Sequence, residues 1–195
     1  MREDIIEYLE EEVLRRCKCD ENKFGFDIYY HIRAVVKNVE KTAHLYNADL
    51  EISIISAWLH DIASITDINF YKNHHIYGQY IAEEILRRKA YDDQKIECVK
   101  KCIYSHRGSR VIDKESAEEK CVADADASSH FDNLPSLLYL SYVTRNMELC
   151  EGVNFVKNKM ERSWNKLSDK GKKIYFNDYR ETMNVIMRSC AIIMI

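Results

Sequence analysis

The sequence predicts an all-α protein, and two observations support this fold class. The 195 residues include one proline and five glycines, which leaves few positions for tight turns. Apolar residues recur at the spacing of one helix face over long stretches, and strand-like alternation persists nowhere. No repeat is present, and no linker rich in proline, glycine or serine divides the chain. We therefore predict a single-domain helical bundle over 1–195.

The first helices can be placed by periodicity and capping. Residues 3–17 are amphipathic and predict an opening helix. From Tyr29 to Tyr46 the apolar residues follow the helical period and predict a helix of about five turns. Asp49 is a capping-type residue in front of the next helix, which is apolar on nearly all sides and should lie deep in the core.

The rest of the chain continues the helical pattern. Further helices are predicted over 74–89, 92–105, 115–130, 133–148, 151–167 and 172–193. Breaks are predicted at "DINFYKN", "HRGSRVIDKE", "HFDNLP" and "SDKGKK". The apolar faces of 133–195 are expected to complete the helical core or to form a homodimer contact.

Composition and charge exclude several functional classes. The formal net charge of -3 lacks the basic surplus expected of a nucleic-acid binder. No apolar run approaches the roughly 18 residues needed to cross a membrane. The N-terminal "MREDIIEYLEEEVLRR" is charged from its second residue, unlike a signal or transit peptide. With seven cysteines, an odd number, we expect reduced, mostly buried thiols and a cytoplasmic protein without a thiolate metal site.

The stretch "AWLHDIAS", residues 57–64, is energetically unusual. It places His60 and Asp61 at the end of the most apolar helix. Burying an unpaired carboxylate costs several kcal/mol, and an unsatisfied imidazole adds roughly 1–3 kcal/mol. A divalent cation would remove both costs, because imidazole nitrogen and carboxylate oxygen are among its usual ligands.

Adjacent residues on a helix point about 100° apart, so other helices must contribute ligands. The segment "VADADASSHFD", residues 122–132, offers two carboxylates that face nearly opposite sides. Asp126 lines up with Val122 and His130, which favours it as the ligand. Asp124 lines up with more polar neighbours and is expected to be more solvated, although it stays open as a replacement for Asp126.

Taken together, His31, the His60–Asp61 pair and Asp126 resemble the H…HD…D pattern of the HD superfamily of metal-dependent phosphohydrolases. The resemblance covers about residues 30–130 and implies an all-helical core over about 28–130. It further implies that these four residues hold a divalent metal ion.

Two more segments extend the resemblance. "NHHIYGQYIAEEIL" is similar to the family's His-x-x-x-Gly helix opening and implies a site role for His74, or for its neighbour His75. "CIYSHRGS" is similar to the helix ending that brings another histidine, His106, to the pocket. Such histidines bind a second ion in two-metal members and contact substrate in one-metal members. No Gly-Tyr-Pro motif follows His106, so cyclic di-GMP hydrolysis is not expected.

The predicted function is a divalent-metal-dependent hydrolase acting on a phosphomonoester or a nucleotide-like phosphate or pyrophosphate. Asp61 is expected to bind metal and to orient the attacking water, while His74, His106 and Arg107 stabilise charge on the phosphoryl oxygens. Arg33 and Lys100 are weaker basic candidates.

The cofactor is expected to be one or two divalent ions, with Mn, Fe, Co or Ni favoured over Mg because the ligands include imidazoles. Two alternatives stay open. One is a metal-containing protein that senses nucleotides without turnover, and the other is a di-iron oxygenase. The expected binding partner is a small phosphorylated molecule, such as a nucleotide. Binding to nucleic acid or to a membrane is not expected, and a homodimer stays open. The loops over 64–75 and 107–115 are expected to border the pocket.

Overall fold

The computed structural model describes residues 1–107 and 113–193, and within these residues it contains helices and no strand, as predicted. The α-helices are α1 (Glu3–Cys17), α2 (Ile28–Tyr46), α3 (Leu50–Leu59), α4 (His74–Arg88), α5 (Asp93–Ser105), α6 (Ala117–Asp132), α7 (Leu134–Tyr139), α8 (Leu149–Lys166), α9 (Asp169–Ile174) and α10 (Phe176–Ile193). A 3₁₀ helix (Ile68–Asn73) precedes α4, and a π-helical turn (Leu140–Thr144) follows α7.

The predicted cap of the central helix is present. The Asp49 carboxylate accepts a hydrogen bond from the backbone N–H of Ile52 at 3.0 Å, which satisfies one free donor at the start of α3. Ile55 and Leu59 of this helix are fully buried, as the apolar sequence predicts. The helix therefore delivers His60 and Asp61 into the interior directly after its last turn.

The C-terminal segment departs from the prediction in two places. The single helix expected over 133–148 is instead α7 followed by the π-helical turn, and Asn146 with φ 49° lies in the left-handed region that ends helices. The break expected at 168–173 is instead α9, capped by the Ser168 hydroxyl, which accepts from the Gly171 N–H at 3.0 Å. Residues 108–112, half of the break expected at 106–115, lie outside the described residues.

Two hydrophobic cores lie on either side of α6. The first joins α1, α2, α3, α4 and α5 and includes Ile32 and Leu59. The second joins α7, α8 and α10 and includes Met160. Cys121, Val122 and Ala125 of α6 belong to the first core, whereas Ala127 and Phe131 belong to the second. The helix α6 is thus the shared wall of both cores, which explains why it is buried on most sides.

One glycine sets a close helix approach that matters for the site. A Cβ added at Gly78 of α4 would lie 3.0 Å from the Cγ2 atom of Ile103 in α5. The absence of a side chain therefore lets α4 and α5 pack tightly. His74 begins α4 and His106 follows α5, so this contact brings the two histidines to the same end of the helix pair.

Four cysteines, Cys17, Cys102, Cys121 and Cys190, are buried as expected. Cys98 and Cys150 are exposed instead. Over the described residues, no helix is both long enough and apolar enough to cross a membrane.

Candidate metal centre

Three predicted ligands from three different helices meet in one cluster. His31 from α2, His60 from the end of α3 and Asp126 from α6 each offer one ligand atom, and these atoms lie within 4.8 Å of one another. The Nε2 atom of His31 is 3.4 Å from the Nε2 atom of His60. It is also 3.4 Å from the Oδ1 atom of Asp126. Nitrogen and oxygen donors at this spacing could hold one divalent ion.

A second cluster of the same kind lies beside the first. Asp61, His74 and His106 offer ligand atoms that again lie within 4.8 Å of one another. The Nε2 atoms of His74 and His106 are 3.2 Å apart. The Oδ1 atom of Asp61 is 3.5 Å from the Nε2 atom of His74. The structure therefore groups the two histidines that the resemblance related to a second ion.

Asp61 lies between the two clusters and turns one carboxylate oxygen to each. Its Oδ2 atom is 3.5 Å from Nε2 of His60 and 3.8 Å from Nε2 of His31. Its Oδ1 atom faces His74 in the second cluster. This arrangement suits a carboxylate that bridges two ions.

The helix-end histidines are oriented by their other ring nitrogen. The Nδ1 atom lies within hydrogen-bond distance of the carbonyl oxygen three residues earlier, at 2.7 Å for His60, 2.8 Å for His74 and 2.6 Å for His106. A carbonyl oxygen can only accept, so Nδ1 is the protonated nitrogen in each ring. The Nε2 lone pairs therefore point into the clusters.

His31 is oriented by a side chain. Its Nδ1 atom is 3.1 Å from the Ser129 hydroxyl oxygen, and this hydroxyl donates its own hydrogen to the Asp126 carbonyl at 2.7 Å. The hydroxyl oxygen is thus left to accept from Nδ1, which again directs the Nε2 lone pair of His31 into the cluster.

The positions of these Nε2 lone pairs show whether the two clusters fit metal ions. The Nε2 atoms of His74 and His106 face each other at 3.2 Å, and those of His31 and His60 at 3.4 Å. When both rings of a pair are neutral and carry their proton on Nδ1, no hydrogen lies between the facing nitrogens, and the pair repels. A cation between them converts this repulsion into ligation, so the donor set fits two divalent ions.

The electrostatics agree with neutral imidazoles beside ionised carboxylates. Burial lowers the pKa of His31 to about 4 and that of His106 to about 3. Burial opposes ionisation of Asp61 and Asp126, but the neighbouring histidines, with Lys166 for Asp126, keep the pKa of both carboxyls well below the usual range. These protonation states are the ones that bind metal.

The two carboxylates of the "DADA" segment have different environments. Asp126 lies in the first cluster, whereas Asp124 lies outside both clusters. The expectation that Asp124 is solvated is wrong, because it is only 2% exposed. Asp124 accepts from the Tyr46 hydroxyl at 2.6 Å and from the Ser168 N–H at 2.9 Å, so it joins α2 and α9 to α6.

The positions of His74 and His75 differ with respect to the clusters. His74 lies in the second cluster, and His75 does not, although His75 is buried at 1% exposure. The guanidinium of Arg107 lies 3.0 Å from Nδ1 of His75 and donates to the Lys72 carbonyl. Arg107 lines the pocket, as its predicted role requires. Its action on a phosphoryl group stays a prediction.

Other sequence candidates lie away from the site. Arg33 lies 4.0 Å from Glu10, and Lys100 forms ion pairs with Glu83 and Glu97. Neither Arg33 nor Lys100 is among the described residues that line the pocket.

The remaining histidines differ from each other. His44 is exposed on α2. His130 is buried, and its ring centroid is 5.2 Å from that of His31. It borders the pocket but belongs to neither cluster.

A cavity of about 550 Å³ opens onto both clusters. Apolar side chains such as Phe24, Leu137 and Phe155 form part of its wall. Its described basic lining residues are Lys72, Arg107, Arg145, Lys159, Arg162 and Lys166. They outnumber the three aspartates of the lining, although the whole chain has a net charge of -3. The cavity is therefore suited to an anionic ligand.

Four of these basic residues come from the C-terminal segment, where the sequence indicated little chemistry. Lys159, Arg162 and Lys166 lie on α8, and Arg145 directly follows the π-helical turn. The three α8 residues are spaced by three and four positions, which places them on one helix face. This spacing was the available signal, but it is also the spacing of an ordinary solvated face.

A comparison with protein-family models matches the chain to the family described as HD domain over residues 28–130, just over half of its length. Comparisons with curated proteins and with solved structures returned no match. The matched residues contain all the histidines and aspartates of both clusters, whereas α8 lies beyond them.

Proposed function

The chain belongs to the HD-domain family, and on this basis we propose that it is a divalent-metal-dependent phosphohydrolase acting on a phosphate ester or anhydride. The observation that carries the proposal is a pair of His/Asp clusters joined by Asp61 beneath a predominantly basic cavity. The clusters supply metal ligands, and the basic wall supplies charge for a phosphorylated substrate.

The ligands divide naturally between two ions. His31, His60, Asp126 and Oδ2 of Asp61 would hold one, while His74, His106 and Oδ1 of Asp61 would hold the other. Bound divalent ions would polarise the phosphoryl group and lower the pKa of a bound water. The mixture of imidazole and carboxylate donors favours Mn, Fe, Co or Ni over Mg.

The chain's own residues then have distinct tasks. Asp61, at the centre of the constellation, accepts a hydrogen bond from the attacking water and orients it toward the phosphorus atom. Arg107, at the cavity rim, donates to phosphoryl oxygens. The apolar side chains of Phe24 and Phe155 exclude bulk water from part of the cavity and so strengthen these interactions.

The basic lining also separates this proposal from one of its two rivals. A di-iron oxygenase would use the same His and Asp ligands but does not require a wall of lysines and arginines. A nucleotide sensor would share both features, and only turnover distinguishes it from a hydrolase.

The test is a metal analysis followed by a substrate screen. The purified protein is assayed for bound metals, then for phosphate or pyrophosphate release from phosphomonoesters and nucleotides with Mn²⁺ or Co²⁺ added. We expect release that is abolished in His60→Ala and Asp61→Ala but retained in His44→Ala, which removes an exposed histidine of α2. Nucleotide binding without turnover would indicate the sensor, and oxygen consumption with bound iron would indicate the oxygenase. Failure to bind any metal at micromolar concentration would refute the proposal.

A further inference from the structure

The helix α8 presents two adjacent faces to different environments. Its buried residues, including Val156 and Met160, pack in the second core. Beside them, Lys159, Arg162 and Lys166 line the cavity at helical spacing. Packing of the apolar face therefore fixes the direction of the basic face.

The basic residues of this face form no ion pairs with the described residues, although the carboxylate of Asp126 is near enough to interact electrostatically with Lys159 and Lys166. Among the described residues, no carboxylate lies within ion-pair distance of Lys159, Arg162 or Lys166, whereas nearby Lys157 pairs with Glu161 at 3.1 Å. Lys159 is also desolvated: burial and the neighbouring Lys166 lower its pKa, and the carboxylates of Asp126 and Asp61 offset this lowering only in part. Cations that lie side by side without ion pairs repel one another, and an anionic ligand in the cavity before them would remove this repulsion.

A fourth cation extends the same wall. The guanidinium carbon of Arg145 lies 4.6 Å from the ring centroid of Phe155, and both residues line the cavity. Phe155 is four residues before Lys159 on α8. This contact holds Arg145 next to the basic face of α8.

The charge of the wall exceeds the need of one phosphate. A phosphate monoester carries at most two negative charges, and the proposed metal ions would neutralise much of them. The four C-terminal cations would then still face the cavity without an anionic partner. A substrate with a second phosphate would satisfy them.

We propose that Lys159, Arg162 and Lys166 bind a second phosphate of the substrate, so that the preferred substrates contain a phosphoanhydride chain, as in a nucleoside di- or triphosphate. This inference rests on the proposed function, because it specifies the substrate class of the same pocket. It assigns substrate choice to α8, which lies outside the residues matched by the family model.

The test uses two non-hydrolysable probes and the full-length, metal-loaded protein. Isothermal titration calorimetry compares methylphosphonate, with one phosphonate group, and methylenediphosphonate, with two. We expect methylenediphosphonate to bind at least about tenfold more tightly, because charge-assisted hydrogen bonds to the second group are strong. The double variant Lys159→Gln/Lys166→Gln should lose most of this preference and leave methylphosphonate affinity within about threefold. The metal content of the unmodified protein and of the double variant is measured in parallel, to show that both proteins contain bound metal.

Lys157→Gln is the matched control, since Lys157 is on α8 but pairs with Glu161 instead of lining the cavity. It should bind both probes like the unmodified protein. Arg162→Gln tests the proposal at an exposed position, where misfolding is not expected, and should weaken methylenediphosphonate binding alone.

Equal binding of the two probes by the unmodified protein would overturn the inference. So would unchanged preference in the double variant or, if that variant is unfolded, in Arg162→Gln. Failure of the proposed function is distinguishable, because the probes measure binding: a protein that hydrolyses nothing yet shows the α8-dependent preference refutes only the hydrolase.

Discussion

His74 and His106 face each other through their Nε2 atoms at 3.2 Å, although each ring already uses Nδ1 at a backbone carbonyl. Without a cation this contact is repulsive when both rings are neutral, and burial lowers the pKa of His106 to about 3, so protonation of His106 does not relieve it at neutral pH. The metal-free protein therefore carries unfavourable contacts that metal binding removes.

Metal removal should lower thermal stability. Divalent ions at 100 times their dissociation constant would stabilise the folded chain by about 2.7 kcal/mol per site. We expect chelation to lower Tm by roughly 5–10 °C for each occupied site in a chain of this size. Differential scanning fluorimetry with EDTA and with added Mn²⁺ checks this, and superimposable melting curves would contradict it.

The two clusters should lose metal separately. His106→Ala removes a donor of the second cluster, so we expect it to retain about one ion per chain where the unmodified protein holds two. Inductively coupled plasma mass spectrometry after dialysis gives the stoichiometry, with His44→Ala as the control. Two ions retained in His106→Ala would show that His106 is not a ligand.

Ser129 should affect metal affinity without touching the metal. Ser129→Ala removes the acceptor of His31 Nδ1, which frees the ring to rotate or change tautomer. Loss of such an orienting partner typically costs about 10–100-fold in metal affinity. Competition with a metal-binding dye measures the change. Ser189→Ala is the control, because the Ser189 hydroxyl donates to the Val185 carbonyl of its own helix at an exposed position. Equal affinities in the two variants would count against the orienting role.

Asp124 and Asp126 should respond oppositely to the same substitution. Asp124→Asn weakens the bonds from Tyr46 and Ser168, so we expect a loss of about 1–3 kcal/mol in the free energy of unfolding with metal content preserved. Asp126→Asn should abolish metal binding in the first cluster and leave a folded chain. Urea unfolding and metal analysis of both variants test this prediction. Metal loss in Asp124→Asn together with stability loss in Asp126→Asn would show that the roles of the two aspartates are exchanged.

Glu51 should make stability depend on pH in the acid range. Burial opposes its ionisation, but hydrogen bonds from Lys95, Tyr91 and the Arg2 backbone lower the pKa of Glu51 from 4.5 to about 2. Because the folded pKa is the lower one, its stabilisation is present above pH 4.5 and is lost as the pH falls toward 2.

Glu51→Gln should therefore cost about 1–3 kcal/mol at pH 7, and the difference should shrink between pH 4.5 and pH 2. Urea unfolding across this range measures it. Glu84→Gln, which removes an exposed pair with Arg88, should have little effect at any pH. A constant difference for Glu51→Gln would exclude ionisation as the source.

The all-α fold and the choice of Asp126 could be predicted from local patterns in the sequence, whereas the grouping of His31 with His60 and Asp126 was predicted through the resemblance to the HD superfamily. An apolar helix that ends in His–Asp implies a buried charge, and helical facing distinguishes Asp126 from Asp124. The partners of Asp124 could not be predicted, since Tyr46 and Ser168 are 78 and 44 residues away in the chain. The cationic face of α8 was missed for a related reason, because only tertiary packing distinguishes a lysine beside a cavity from one in solvent.

The shared helix α6 has a consequence for how this protein could diversify. Its early residues belong to the core that supports the metal ligands, and Ala127 and Phe131 belong to the core that supports α8. The pocket therefore lies at the boundary between the two hydrophobic cores. Substitutions in α8 could therefore change which anions the cavity binds while both His/Asp clusters stay unchanged, so the two parts of the pocket could evolve at different rates within one short chain.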